Sequence, residues 1–161
     1  TQQYLSPEQM TWLKGALSAS TAVFKAILNS TPITDFGFSA FTGDSWVAYP
    51  KERASILEYI EDEGIAGVLW VSGDHHFASV GKVTGPLQLG AGKSALEVLA
   101  GPGAQTANPA YATLQANQNR WPFASGTNNY TTFTFDPDAG TVRVAFHDGA
   151  GAELFARDFV L

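Results

Sequence analysis

The sequence predicts an α/β fold that closes on an antiparallel β-meander, and three observations carry that expectation. Residues 1–77 run helix, strand, loop, helix, strand, an order that yields a parallel strand pair. Residues 66–71 are continuously apolar, as in a strand covered on both faces. Residues 130–159 hold three strand-like segments separated by turn signals; the first two alternate apolar and polar residues and the third does so less cleanly.

Each element follows from local chemistry. Leu5-Ser6-Pro7-Glu8-Gln9 opens the first helix. Ser6 caps it, Pro7 suits the first helical position, and Gln9 completes a capping box. Leu5, Met10, Leu13 and Leu17 form its apolar stripe, with Trp12 beside it. Residues 23–28 read as a short strand, apolar apart from Lys25. Residues 31–48 are rich in Thr, Ser, Gly, Asp and Phe without a period, and read as a loop long enough to suggest function. Residues 50–63 read as a second helix, with Ile56, Leu57 and Ile60 inward and Gly64 at the C-cap. Short strand-like pieces broken by Gly and Pro fill 78–100, and 101–129 reads as a second irregular region. The meander follows, with turns at Asp136-Pro137-Asp138-Ala139-Gly140 and His147-Asp148-Gly149.

Bulk composition bounds the function. A length of 161 residues fits one domain. The 45% hydrophobic content supports a core, while 15% charged residues falls below the usual ~25% and suggests that some surface is covered by something else. With 15 acidic against 9 basic residues there is no basic stripe to follow a nucleic-acid backbone, so an anionic substrate needs a metal or a local cation. The absence of cysteine excludes disulfides, thiolate metal ligands and thiol catalysis within the chain. No apolar run approaches the ~18 residues of a membrane helix. The chain begins at Thr1 and its one methionine, Met10, lies inside a helix; we expect a fragment boundary there, with any targeting segment upstream.

The chemistry concentrates after the apolar strand, at Ser72-Gly73-Asp74-His75-His76-Phe77. In open α/β sheets ligands bind just outside the carboxyl ends of strands. Side chains two apart on an extended segment share a side, so Asp74 and His76 would face one way and His75 the other. A carboxylate oxygen and an imidazole nitrogen suit Zn, Fe or Mn, and Gly73 would let the backbone pass close to the ion. The same Asp-x-His spacing also serves as a hydrogen-bonded pair in a turn. Two ligands do not close a catalytic centre, which takes three plus water. No His-Glu-x-x-His, Gly-x-Ser-x-Gly or Walker loop completes one. A Ser72–His76–Asp74 relay is sterically poor. Arg53 could meet an anionic substrate, with Trp46 and Tyr49 walling a pocket; alternatively Arg53 is a helix-surface ion pair and the aromatics are core. Gly101-Pro102-Gly103 reads as a turn, and His147 as a solvated turn residue.

Several segments, in order, resemble a known family: Leu5-Ser6-Pro7-Glu8-Gln9 with Trp12-Leu13, then 18–25 with 30–33, then Asp44-Ser45-Trp46 with Tyr49-Pro50 and Glu52-Arg53, then 72–77. Together with the terminal meander they resemble the C-terminal portion of the PhoD-like alkaline phosphatases/phosphodiesterases, in the metallophosphoesterase superfamily. The likeness is weakest over 80–129. It implies that residues 1–161 are the C-terminal part of one four-layer α/β/β/α sandwich, with 1–77 helix–strand–helix–strand and 78–161 mostly strands and loops. It also implies hydrolysis of phosphate mono- or diesters, with two metal ions, iron with calcium or another divalent pair, polarising the phosphoryl oxygens and activating water. Asp74 and His76 match the family's last ligand block and His75 its variable position; Trp46, Tyr49 and Arg53 match positions that line or support the site. The earlier ligand blocks are absent and would lie in a missing N-terminal part of the same enzyme. A periplasmic or secreted location is implied likewise. Two other readings stand beside it. One is a catalytically incomplete fragment or interaction module keeping Asp-x-His for structure. The other is a carbohydrate-binding β-rich module, against which the helix–strand first half argues.

Overall fold

The computed structural model describes residues 3–37, 43, 45–83 and 95–161. Helix α1, Pro7–Ala19, starts as its sequence dictates: Ser6 Oγ accepts from the Gln9 amide (3.2 Å) and Gln9 Oε1 from the Ser6 amide (3.4 Å). Leu5, Met10, Leu13 and Leu17 turn inward, while Trp12 is exposed. Helix α2, Pro50–Asp62, buries Arg53, Ile56, Leu57 and Ile60 on one stripe. It ends where Gly64 takes φ +62 and the Ile65 amide reaches back to the Ile60 carbonyl (2.9 Å). Between them, Trp46–Ala48 make one 3₁₀ turn in the predicted loop; residues 38–42 and 44 of that loop, Asp44 included, lie outside the described residues.

The first sheet holds β1 (Lys25–Leu28), β2 (Val68–Ser72), β3 (Ala78–Lys82), β4 (Leu96–Leu99) and β5 (Phe123–Ser125), in the order β1-β2-β4-β3-β5. The predicted parallel pair is β1 with β2, and β4 extends it in parallel; β3 and β5 add antiparallel. The apolar run on β2 is explained by burial on both faces. Val68 and Trp70 meet the helices with Ile33, Trp46, Ile56, Leu57 and Ile60, whereas Leu69 and Val71 face a second sheet. That sheet is the predicted meander: β6 (Asn129–Asp136), β7 (Thr141–Asp148) and β8 (Glu153–Val160), with β7 central. Val142, Val144 and Phe146 pack on Leu69, Val80, Leu96 and Val98. Helices, first sheet and second sheet thus stack as three layers.

Two expectations change. Residues 101–129 are not wholly irregular: they carry a short helix α3, Tyr111–Gln115, and strand β5. Each is five residues or fewer, too short for a period to register, and α3 buries only Leu114. His147 is not a turn residue but lies in β7 beside a β-bulge, its ring stacked on Tyr130 at 5.1 Å.

Gly67 fixes the entry to β2. It has φ +73, and a Cβ there would overlap the Val23 carbonyl oxygen, where the chain enters β1. Gly64 also has positive φ but open space around it. Gly67→Ala should therefore destabilise by more than about 3 kcal/mol, against about 1 kcal/mol for Gly64→Ala, read from urea unfolding midpoints.

Candidate functional site

Because β1, β2 and β4 are parallel neighbours, their carboxyl ends lie side by side, and the segments leaving them form one edge. The segment after β2 is the Asp74–His76 turn. It is pinned at three points: Ala100 N donates to Ser72 O (2.8 Å), His75 N to Gly73 O (3.0 Å) and Asn108 N to His76 O (2.9 Å).

Its backbone is unusual. Asp74 has φ 74 and His76 φ 56, the two non-glycine residues with positive φ among the described residues. A left-handed L-residue costs about 1–2 kcal/mol, least for short polar side chains such as Asp. Gly73, by contrast, has neither positive φ nor a crowded Cβ position, so the turn does not need glycine there. Asp74 and His76 are exposed, and His75 between them is buried. The burial of the middle residue agrees with the expected alternation, but the turn is not an extended segment: two left-handed residues flank His75.

His75 sits under Phe36 and Phe77, with ring centroids 6.0 and 6.1 Å away. Burial pushes its pKa below the ordinary histidine value; Asp74, whose carboxylate is 3.7 Å from Nδ1, opposes the shift, and His76 adds slightly to it.

Beneath the turn lies a buried polar cluster centred on Glu97 of β4. Glu97 Oε1 accepts from Ser72 Oγ (2.7 Å) and the Ile33 amide (2.9 Å), and Oε2 from the Thr34 amide (2.8 Å). Arg53 of α2 donates from Nε to the Ile33 carbonyl (2.6 Å). Burial lowers the Arg53 pKa from its ordinary value, partly offset by the negative charges of Asp35 and Glu97. One carboxylate thus ties together the chain leaving β1, the last residue of β2, and β4.

The sequence profile of the family described as PhoD-like phosphatase matches residues 1–152. The chain belongs to the PhoD-like phosphatase family. Alkaline phosphatase D of Bacillus subtilis (strain 168) is 31% identical over an alignment of 77 residues that covers 45% of this chain and 13% of that protein. The solved structure of PhoD superposes with a TM-score of 0.71 at 20% identity, over 97% of this chain and 32% of PhoD. The purple acid phosphatase PPD1 from yellow lupin (Lupinus luteus) seeds gives 0.67 at 10% identity, over 95% and 28%. These two likenesses show a shared fold. The chain therefore spans about an eighth of the curated relative and about a third of each structure.

Within this PhoD-like chain, only part of the predicted constellation comes together. Asp74 and His76 share the turn. Arg53 is not on the helix surface; it is 3% exposed inside the polar cluster. Trp46 is fully buried on the helix side, 4.4 Å from the Tyr4 ring and 6.1 Å from Trp70, so its ring is core. Tyr49 is half-buried against Tyr4 at 5.5 Å. Among the described residues no three His, Cys, Asp or Glu side chains are grouped closely enough to hold a metal ion. Among the described residues the turn offers one oxygen and one nitrogen, which fits part of a metal site.

Glu97 is the residue that sequence reasoning missed. Its signal was a lone carboxylate inside the apolar run Leu96-Glu97-Val98-Leu99. Glu97→Ala would strip three donors of their acceptor and should cost about 3–5 kcal/mol; Glu97→Gln, which keeps the shape, should cost less than half of that, both by chemical unfolding.

Proposed function

We propose that this chain contributes one ligand turn, Asp74 and His76, to a metal-dependent phosphatase that hydrolyses phosphate mono- or diesters. The observation that carries the proposal is the strained turn. Two left-handed non-glycine residues sit at the carboxyl end of a central parallel strand, on a rigid buried base, in a chain of a phosphatase family. When bound, two metal ions, iron with calcium or another divalent pair, would polarise the phosphoryl oxygens and activate water.

In this reading the chain's own residues hold and orient. Asp74 offers an oxygen and His76 a nitrogen toward solvent. His76, as the exposed imidazole, is also positioned to exchange a proton with substrate. Neutral His75 anchors the turn from below. Arg53 acts through the Ile33 carbonyl and the charge of Glu97, as a positioning residue, and Trp46 supports the same wall from the core. Tyr49, half-buried, remains the aromatic that can reach substrate.

Residues 1–161 would then be the C-terminal part of one four-layer domain, completed by an N-terminal part of the same enzyme. A periplasmic or secreted location belongs to the same proposal; among the described residues no helix is long and apolar enough to cross a membrane. A second reading, an incomplete fragment or interaction module, draws on the 3.7 Å approach of Asp74 to His75, which gives Asp74 a structural use without metal.

Two measurements separate the readings. In the complete enzyme, Asp74→Gly and His76→Gly should each lower bound metal and cut nitrophenyl phosphate hydrolysis at least about 100-fold, because a lost ligand loses the centre. Stability of the metal-free protein should stay within about 1 kcal/mol, since glycine accepts positive φ. Unchanged metal content in both variants would sink the ligand assignment. The 161-residue chain by itself should be inactive on the same ester; a rate like that of the complete enzyme would overturn the view that it supplies only part of the site.

A further inference from the structure

A cavity of about 590 Å³ opens at the end of the first sheet away from the Asp74–His76 turn. Val68 and Leu96, the first residues of β2 and β4, line it together with Lys82, the last residue of the antiparallel β3. Strands rise about 3.3 Å per residue, so roughly 13 Å of β2 separates Val68 from Ser72, and the turn lies beyond that. The volume falls within the ~300–1,000 Å³ of small-molecule sites. Its walls draw on both sides of the sheet: Ile60 and Val68 belong to the core under the helices, Leu96 and Phe159 to the core between the sheets. Val160, 81% exposed at the end of β8, adds apolar surface.

Three cations share this apolar lining: Lys82, Arg120 and Arg157. They are three of the nine Lys and Arg residues in a chain of net charge −6. Among the described residues no Asp or Glu lines the cavity, although Glu61, Asp62 and Glu63 follow directly on Ile60. Arg143 of β7 shows the alternative arrangement, paired with Glu153 at 3.8 Å and Asp158 at 3.6 Å. None of the three cavity cations has an ion pair among the described residues. Arg120 rests over the Trp121 ring (4.5 Å) and Arg157 over the Phe155 ring (5.5 Å), contacts that hold a guanidinium without neutralising it.

Arg157 is also out of keeping with its place in β8. It pairs with Val144, between the pairs Phe146–Phe155 and Val142–Phe159, in a row that packs on the first sheet. An inward charge on an edge strand keeps other strands away. That accounts for Arg157 alone, and not for Lys82 and Arg120 lining the same space from elsewhere in the chain.

Charge of one sign in a concave space with apolar walls concentrates counter-ions. We propose that this cavity is a binding site for a small anion with an apolar body, a medium-chain carboxylate being the simplest case. Its head meets Lys82, Arg120 and Arg157, and its body covers the apolar walls. The proposal is independent of whether Asp74 and His76 bind metal.

Calorimetric titration of the complete protein, freed of metal, with octanoate tests it. Octanoate should bind saturably, at least about 10-fold more tightly than octanol, which has the body without the charge, or inorganic phosphate, which has charge without the body. Lys82→Gln and Arg157→Gln should each weaken octanoate about 10-fold and leave octanol unchanged, whereas Arg143→Gln, outside the lining, should change neither. All three positions are exposed, and unchanged urea midpoints would show that the variants fold. No saturable octanoate binding to the unmutated protein would overturn the proposal. Full octanoate affinity in both cavity variants, or phosphate binding as tight as octanoate, would also overturn it. Because binding is read without metal, failure of the ligand assignment leaves the result unchanged.

Discussion

Glu97 is the constraint on which the rest of the edge depends. A carboxylate in the middle strands of a sheet is expensive to bury, and it is tolerated where each oxygen is engaged. Here the engagement is productive: two amides of the chain leaving β1, the hydroxyl that ends β2, and the charge of Arg53 beneath all converge on one side chain. Strand pairing alone fixes β1, β2 and β4 relative to each other; the Glu97 cluster fixes what happens after the strands stop. The turn at Asp74 begins two residues beyond Ser72, so the Ser72–Glu97 bond holds the strand end from which it leaves.

A rigid base matters because the turn is strained. Two left-handed residues within three positions persist only if the surroundings over-determine them. Amide bonds from Asn108 and Ala100, and the aromatic bed of Phe36, Phe77 and His75, supply that. The return on the strain is a partition: Asp74 and His76 are exposed while His75 between them is buried. An unstrained extended segment of the same sequence would give a similar partition, but without a fixed distance to the strand end.

Much of this was legible in the sequence. The capping box of α1, the glycine at the end of α2, the two-sided burial of β2 and the three-stranded meander all follow local rules with a period or a fixed offset, and all stand in the structure. What was not legible depended on contacts distant in the chain. Arg53 shares the 53–56–57–60 stripe that places Ile56, Leu57 and Ile60 in the core, so its burial was available from helical phase, although the sequence reading put it either at a substrate or on the helix surface. Glu97 finds its partners 25 to 64 positions away, which no window reveals. Backbone sign at Asp74 and His76 had no marker, because Asp and His visit the left-handed region only occasionally.

The order of the strands sets the surroundings of the Asp74–His76 turn. β1 is both the outermost strand of the first sheet and the direct neighbour of β2, whose end carries Asp74 and His76. β5 and β8, the adjoining edges of the two sheets, lie on the far side of the sandwich, away from β1. With β1 only four residues long, the edge nearest the turn carries little backbone beyond β2, and Leu28 at its end stays 82% exposed.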